Sequence, residues 1–105
     1  MKFSELAEKL GLSNDEFFEL VELFLETSAT DLSKLQAAID EGNAQKAVEV
    51  AHSIKGACGN MGFMEAYEAA KEIEEDARNR GLEDIGKAVE VLREKLDVIT
   101  ELARS

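Results

Sequence analysis

The sequence predicts an all-α fold: an antiparallel up-down-up-down four-helix bundle with a short additional helix at the N-terminus. The 105 residues contain no proline, and long stretches are rich in Ala, Leu, Glu and Lys, which favour helix. Apolar residues recur every three or four positions through these stretches, as on one face of a helix. The stretches are separated by short turns that carry Gly11, Gly42, Gly62 and Gly81. Short turns between long amphipathic helices make neighbouring helices antiparallel.

The first two helices are predicted over residues 4–10 and 14–41. Ser13 and Glu16 have the S-x-x-E spacing of a capping box, which places a helix start directly after Ser13. The second helix is long, and its apolar stripe is wide enough to contact two neighbours. This stripe comprises Phe17, Val21, Phe24, Ser28, Leu35 and Ile39, and it is widened by Phe18, Leu25, Ala29 and Leu32.

Three more helices are predicted over residues 44–61, 64–80 and 84–103, the first of them capped by Asn43. The apolar positions of the last helix alternate steps of four and three, which is the spacing of a bundle seam. They are Ile85, Val89, Leu92, Leu96, Ile99 and Ala103. Residues 1–105 are therefore predicted to form a single domain.

Composition and charge exclude several classes of protein. The net charge of −11 leaves no basic footprint for nucleic acid and opposes binding to an anionic membrane. No apolar run approaches the roughly 20 residues that span a bilayer, and no secretion signal is visible. A single cysteine cannot form an internal disulfide. The sequence therefore predicts a cytoplasmic protein, with a monomer as the default for a fully wrapped bundle.

His52, the only histidine, lies on the face of the third helix that points away from the predicted core. At roughly 100° per residue, Gly56 and Gly59 fall within about 40° of His52, and Lys55 falls within about 60°. Val48 is also on this outward face. The apolar residues of the helix lie on the opposite side, between about 140° and 260° from His52.

Two glycines on the exposed face of a helix interior are unusual, because each costs about 1 kcal/mol relative to alanine. Beside His52 they leave room for another body to approach the imidazole closely. Lys55 lies one turn away and can steady an attached phosphoryl group. A neutral imidazole is a competent nucleophile, yet no second catalytic group accompanies it. The sequence therefore predicts that this face can hold a chemical group and pass it on. The alternative is that His52 is a surface histidine without a function.

Other candidate residues have simpler interpretations. Cys58 falls on the core side and is expected to be a buried, inert thiol. His52 and Cys58 point in different directions and lack further ligands, so no metal site is predicted. The acidic residues of 72–76, which include Glu74, are expected to form a solvated face. Val48 is either part of a docking patch or exposed by chance, and Leu23 either docks a partner or contacts the first helix.

The run from His52 to Gly62, His-Ser-Ile-Lys-Gly-Ala-Cys-Gly-Asn-Met-Gly, closely resembles the signature of histidine-phosphotransfer (HPt) domains. Ala51 and the later pair Ile73-Glu74 also resemble the family, over about residues 17–102. The resemblance implies a bundle with an exposed histidine that accepts phosphate, through Nε2, from a receiver-domain aspartate. His52 would then donate the phosphate to another receiver. Lys55 would pair with the phosphate, and Gly56 would admit the receiver.

The same resemblance implies that Mg²⁺ belongs to the partner receiver, that this chain needs no cofactor, and that it has no autonomous kinase or hydrolase activity. Its partners would be response-regulator receivers, hybrid histidine kinases, or both. The partner-binding candidates are Val48, Gly56 and Gly59. Two alternatives stay open, namely a phosphoacceptor domain of a larger chemotaxis-type or hybrid kinase and a non-catalytic helical adaptor. The chain ends favour a stand-alone relay module.

Overall fold

The structure is a computed structural model that describes residues 2–105. Within that range it contains five α-helices and no strand. The helices are α1 (Phe3–Lys9), α2 (Asn14–Asp40), α3 (Ala44–Met61), α4 (Met64–Asn79) and α5 (Gly86–Arg104). None of the helices in this part of the chain has the length and apolar character needed to cross a membrane.

The four long helices form a closed ring in cross-section. Each of α2, α3 and α4 packs against the next helix along the chain, and α5 returns to pack against α2. The connections between these helices contain three, two and six residues, which makes consecutive helices antiparallel. The short α1 packs against α2. The all-α bundle with an additional N-terminal helix, predicted from the sequence, is confirmed.

The ends of α2 show how local sequence sets the helix boundaries. At its start, Ser13 Oγ accepts a hydrogen bond from the Glu16 N–H (3.1 Å), and Glu16 Oε1 accepts one from the Ser13 N–H (2.9 Å). At its end, Gly42 has a φ of 71°, a conformation that glycine adopts without strain. The chain then reverses, and the Asn43 N–H donates to the Ala38 carbonyl at 2.8 Å. The predicted capping box is therefore present.

The start of α5 differs from the prediction. The sequence places it near residue 84, whereas the helix begins at Gly86. Residues 82–85 form a turn, in which the Ile85 N–H points to the Leu82 carbonyl at 3.5 Å. Ile85 is only 1% exposed, so this turn carries it into the core before regular helical bonding begins. The other helix ends lie within one residue of the predicted positions.

An aromatic cluster closes one end of the bundle. Phe63, in the two-residue connection between α3 and α4, lies with its ring centroid 5.0 Å from Phe24, 6.1 Å from Phe3 and 6.3 Å from Phe17. These rings come from α1, α2 and the α3–α4 connection. Phe63 is 1% exposed. The cluster therefore fixes the turn that sets how α3 lies along α4.

Candidate functional site

His52 lies in the middle of α3 with its side chain directed to solvent. The side chain is 68% exposed. On the opposite side of the same helix, Ala51, Ile54 and Cys58 are completely buried. The imidazole is therefore accessible to another protein while the helix beneath it is anchored in the core.

A buried carboxylate lies beneath the imidazole. Glu74, on α4, is 3% exposed, and its Oε2 lies 3.0 Å from His52 Nδ1. Its Oε1 lies 2.7 Å from Lys55 Nζ, and Arg78 Nη2 donates to Oε2 at 3.1 Å. One carboxylate thus connects the histidine with two cations.

The expectation that Glu74 belongs to a solvated acidic face is wrong. Tyr67, Ala70 and Glu74 follow one another at steps of three and four, so they share the face of α4 that packs against α3. Their neighbours Glu72 and Glu75 are exposed. Burial of Glu74 is tolerated because its charge is paired with cations and hydrogen-bonded. No buried side-chain nitrogen or oxygen within residues 2–105 lacks a hydrogen-bond partner.

The surroundings of Glu74 keep it ionised. Burial by itself raises the pKa of the Glu74 carboxyl, but the hydrogen bonds from Lys55 and His52 and the charge of Lys55 outweigh this and lower it overall. The hydrogen bond to Glu74 also raises the pKa of the Lys55 ammonium. At neutral pH the site therefore contains a carboxylate and an ammonium ion in contact.

The carboxylate determines which ring nitrogen of His52 is nucleophilic. An ionised carboxylate can only accept hydrogen bonds, so the neutral imidazole carries its proton on Nδ1 and keeps its lone pair on Nε2. In the described part of the chain, Nε2 makes no hydrogen bond. The arrangement therefore presents Nε2 as a free nucleophile.

An open depression of about 560 Å³ surrounds the imidazole. All its lining residues belong to α3 and α4, so the closely packed pair of helices builds the whole site. They are Val48, Glu49, His52, Lys55, Glu74 and Arg78. The structure thus brings three residues singled out from the sequence, His52, Lys55 and Val48, into one depression.

The two glycines of the His52 face have different surroundings. A Cβ at Gly56 would have no neighbouring atom within 4 Å, so the surface there is open. A Cβ at Gly59 would lie 3.4 Å from the Tyr67 ring, at the lower limit of ordinary contact. The missing side chain at Gly59 therefore lets Tyr67 of α4 pack closely against α3.

Sequence reasoning missed two members of the site, Glu74 and Arg78. A signal for the pair existed, because Glu74 and Arg78 are four residues apart and such pairs interact on a helix. The pattern of one helix alone could not predict that either residue lies beside His52. The contact depends on how α4 lies against α3, which is a tertiary feature.

Within residues 2–105, no group of three or more His, Cys, Asp and Glu side chains is arranged to hold a metal ion. Cys58 is fully buried, and this burial raises the pKa of its thiol to about 12. The thiol is therefore protonated at neutral pH.

Comparisons with known proteins agree with this geometry. The family model of the Hpt domain matches residues 19–102, a range that contains α3 and α4 entirely. The structure is similar to the crystal structure of histidine-containing phosphotransfer protein B (HptB) from Pseudomonas aeruginosa PAO1, with a TM-score of 0.85 and 31% sequence identity. That similarity covers 94% of this chain and 86% of the other. No match was found among curated protein sequences. The chain belongs to the Hpt domain family and is a histidine phosphotransfer protein of a phosphorelay.

Proposed function

We propose that His52 is the phosphoryl acceptor of this protein. It takes the group on Nε2 from an aspartyl phosphate of a receiver domain and passes it to an aspartate of another receiver. The observation that carries the proposal is the contact of His52 Nδ1 with the buried Glu74 at 3.0 Å, on a side chain that is otherwise exposed. His52 is also the only histidine of the chain.

The acceptor step needs few groups from this protein. The Nε2 lone pair forms the bond to phosphorus, the bond from phosphorus to the aspartyl oxygen breaks, and its electron pair returns to the donor carboxylate. Such transfers depend on in-line approach and on neutralisation of the phosphoryl charge. The Mg²⁺ that neutralises this charge would belong to the receiver, and this chain would need no cofactor. No kinase or hydrolase activity of its own is proposed.

Lys55 and Arg78 are the cations that would contact the bound phosphoryl group. The ammonium of Lys55 has three N–H donors and uses one toward Glu74. The guanidinium of Arg78 has five, and its side chain is 56% exposed. Each could therefore donate to a phosphoryl oxygen while it keeps its contact with Glu74.

Replacing Lys55 with alanine should slow transfer or shorten the lifetime of the phosphorylated form by roughly tenfold or more, since it removes a hydrogen bond between two charged groups, which is about twice as strong as one between neutral groups. Transfer rate and phosphohistidine half-life are measured together with thermal unfolding. Lys71→Ala removes an exposed lysine on α4 and is the matched control. If Lys55→Ala changes neither rate nor lifetime, Lys55 does not stabilise the phosphate.

The receiver is proposed to dock on the exposed side of α3. Gly56 would let it approach the imidazole, Val48 is half-buried at the edge of the depression, and Gly59 lies one turn beyond Gly56. Leu23 of α2 is 60% exposed and is a further apolar candidate for this contact. We also propose that the carrier acts as a monomer. It is proposed to lie in the cytoplasm, since its single cysteine is a free, buried thiol, as is usual in a reducing compartment.

Gly56→Gln should impair transfer from a receiver while it raises the free energy of unfolding by roughly 0.5–1 kcal/mol, because glycine is a poor helix former. Phosphorylation by a small molecule such as phosphoramidate should be affected far less, since that donor needs little space. Gly86→Gln introduces the same side chain at a helical glycine of α5 that also faces open space, and serves as the control. Normal receiver transfer by Gly56→Gln would refute the steric role.

The proposed function is tested with a panel of phosphorylated receiver domains from the same genome. We expect at least one of them to transfer acid-labile, alkali-stable phosphate to the wild-type chain. If no receiver does so, ATP with candidate histidine kinases is the next donor. Labelling only by a kinase would indicate a kinase-attached phosphoacceptor domain, and labelling by no donor would indicate a helical adaptor.

A further inference from the structure

A second open groove lies between α4 and α5 and has a volume of about 560 Å³. Its lining comes from α4 between Met64 and Glu75 and from Val91 and Lys95 of α5. Among residues 2–105, this groove and the depression around His52 share no lining residue. The α4–α5 groove is therefore a surface separate from the site on α3 and α4 that contains His52.

The groove has an apolar strip that continues along α5. Val91, Val98 and Leu102 are seven and four residues apart, so the last two lie within about 20° of Val91 on the helix. Val98 is 48% exposed, and Met64, which lines the groove from α4, is 54% exposed. An exposed apolar patch with a polar rim is typical of a surface that binds another protein.

Carboxylates border the apolar strip on both sides. On α5, Glu94 and Glu101 lie about 60° and 80° from Val91, in the direction of solvent. On α4, the border is a row of four exposed glutamates separated by steps of three, four and three residues. They are Glu65, Glu68, Glu72 and Glu75.

Two lysines in the groove do not cancel this negative charge. Lys95 donates to Glu65 Oε1 at 3.2 Å, so its charge is already paired within the groove. Lys71 is exposed within the row of glutamates on α4. Four glutamates and two lysines leave the lining with a net negative charge, and the whole chain carries −11.

The charge pattern determines which partner fits the strip. A second copy of this chain would bring two sets of carboxylates together, and such contacts between like charges are unfavourable. A partner with lysines or arginines beside its own apolar residues would instead pair with both borders. Because a groove between two helices accepts the side chains of a further helix, a helical partner matches its shape.

We propose that the α4–α5 groove binds a cationic amphipathic helix of another protein. The apolar face of that helix contacts Met64, Val91, Val98 and Leu102, while its flanking cations pair with the glutamates. Amphipathic helices bind apolar grooves through residues at i, i+3, i+4 and i+7. From Val91 to Leu102 the axis of α5 rises roughly 16 Å, so the partner helix needs about three turns.

This inference goes beyond the proposed function of His52 and does not depend on it. Because the two surfaces share no lining residue, a partner held in the groove leaves the imidazole accessible. The groove would then keep the carrier attached to one protein while His52 contacts a receiver.

The test uses a fluorescein-labelled synthetic helix of about 12 residues, with leucines on one face and lysines on both flanks. Its binding to the full chain is measured by fluorescence anisotropy. A peptide of the same composition, with the leucines spread around the helix, has the same charge and is the control probe. We expect the amphipathic peptide to bind at least about tenfold more tightly, because only its leucines can all contact the strip.

Variants of the apolar strip show where the peptide binds. Val98→Ser combined with Leu102→Ser should weaken binding by about tenfold or more, because two apolar contacts are lost. Leu10→Ser combined with Leu20→Ser makes the same kind of change at exposed positions of α1 and α2 and should match the wild type. Circular dichroism verifies that each variant is folded.

Variants of the borders separate local charge from net charge. Glu68→Gln combined with Glu72→Gln should weaken binding by about tenfold at low salt, where charge pairs are screened least. Glu19→Gln combined with Glu26→Gln removes the same charge from exposed positions of α2 and should have much less effect. Equal effects of the two pairs would show attraction by net charge alone and would overturn the inference.

Two other results would also overturn it, namely equal binding of the two peptides and unchanged binding by the Val98→Ser, Leu102→Ser variant. If that variant does not fold, amide NMR of the wild type must show peptide-induced shifts in α4 and α5 around the groove, and shifts confined to other helices would contradict the proposal. Self-association of the wild type that the same variant abolishes would show that a second copy occupies the groove. His52→Gln should bind the peptide like the wild type, so this test is independent of phosphoryl transfer.

Discussion

Replacing His52 with glutamine is expected to abolish phosphoryl acceptance and leave the bundle folded. An amide nitrogen has no available lone pair with which to attack phosphorus, so no phosphate should be incorporated from any donor. The His52 side chain is 68% exposed, and its loss creates no cavity in the core. The change can remove one hydrogen bond to Glu74, which stays paired with Lys55 and Arg78, so the free energy of unfolding should fall by no more than about 1.5–3 kcal/mol. Phosphate incorporation and thermal unfolding by circular dichroism measure the two effects.

The control for this change is Glu49→Gln, which alters an exposed side chain of the same depression without removing the nucleophile. It should accept phosphate. Phosphate on His52→Gln would reveal a different acceptor, and a large loss of helicity would contradict the exposed position of the imidazole. Retained folding with complete loss of acceptance identifies His52 as the reacting residue.

Phe63→Ala is expected to produce the largest loss of stability among these variants. Phe63 is 1% exposed and lies among three phenylalanine rings from α1 and α2. Truncation of a buried phenylalanine to alanine costs about 3–5 kcal/mol. For a domain of this size, each kcal/mol lowers Tm by roughly 4–8 °C, so a fall of more than about 10 °C is expected. Thermal and urea unfolding provide the measurement.

Phe18→Ala is the matched control. Phe18 lies at the same end of α2 and is 43% exposed, so its replacement should lower the free energy of unfolding much less. The Phe63 variant should also transfer phosphate less efficiently at temperatures where it is still folded, because the α3–α4 connection aligns Glu74 with His52. If the Tm values of the two variants are alike, the aromatic cluster does not anchor this end of the bundle.

The sequence predicted the bundle because its signals are local. A capping box at Ser13 and Glu16 marks a helix start, and glycines mark helix ends. Periodic apolar residues then orient each helix toward the core. The start of α5 was predicted two residues too early because the burial of Ile85 in a turn depends on the other helices. Local signals do not contain that information.

The site was predictable to the extent that it lies on one helix. The helical spacing in α3 placed His52, Lys55 and Gly56 on one exposed face. It could not show that Tyr67 of α4 contacts the Gly59 position, or that Glu74 is buried beneath the imidazole. The charge pattern of residues 72–76 looks like a solvated surface, and only the packing of α4 against α3 distinguishes Glu74 from its neighbours.

The proposed nucleophile, the buried carboxylate and both cations come from α3 and α4, two consecutive helices joined by Gly62 and Phe63. The groups that are proposed to react therefore lie on one continuous stretch of chain. Helices α1 and α5 pack against the rest of the bundle and contribute no residue to the site. Substitutions in α1 and α5 can therefore alter stability without changing the groups that are proposed to handle phosphate. The proposed phosphoryl chemistry thus belongs to the α3–α4 hairpin, and the rest of the bundle holds that hairpin in place.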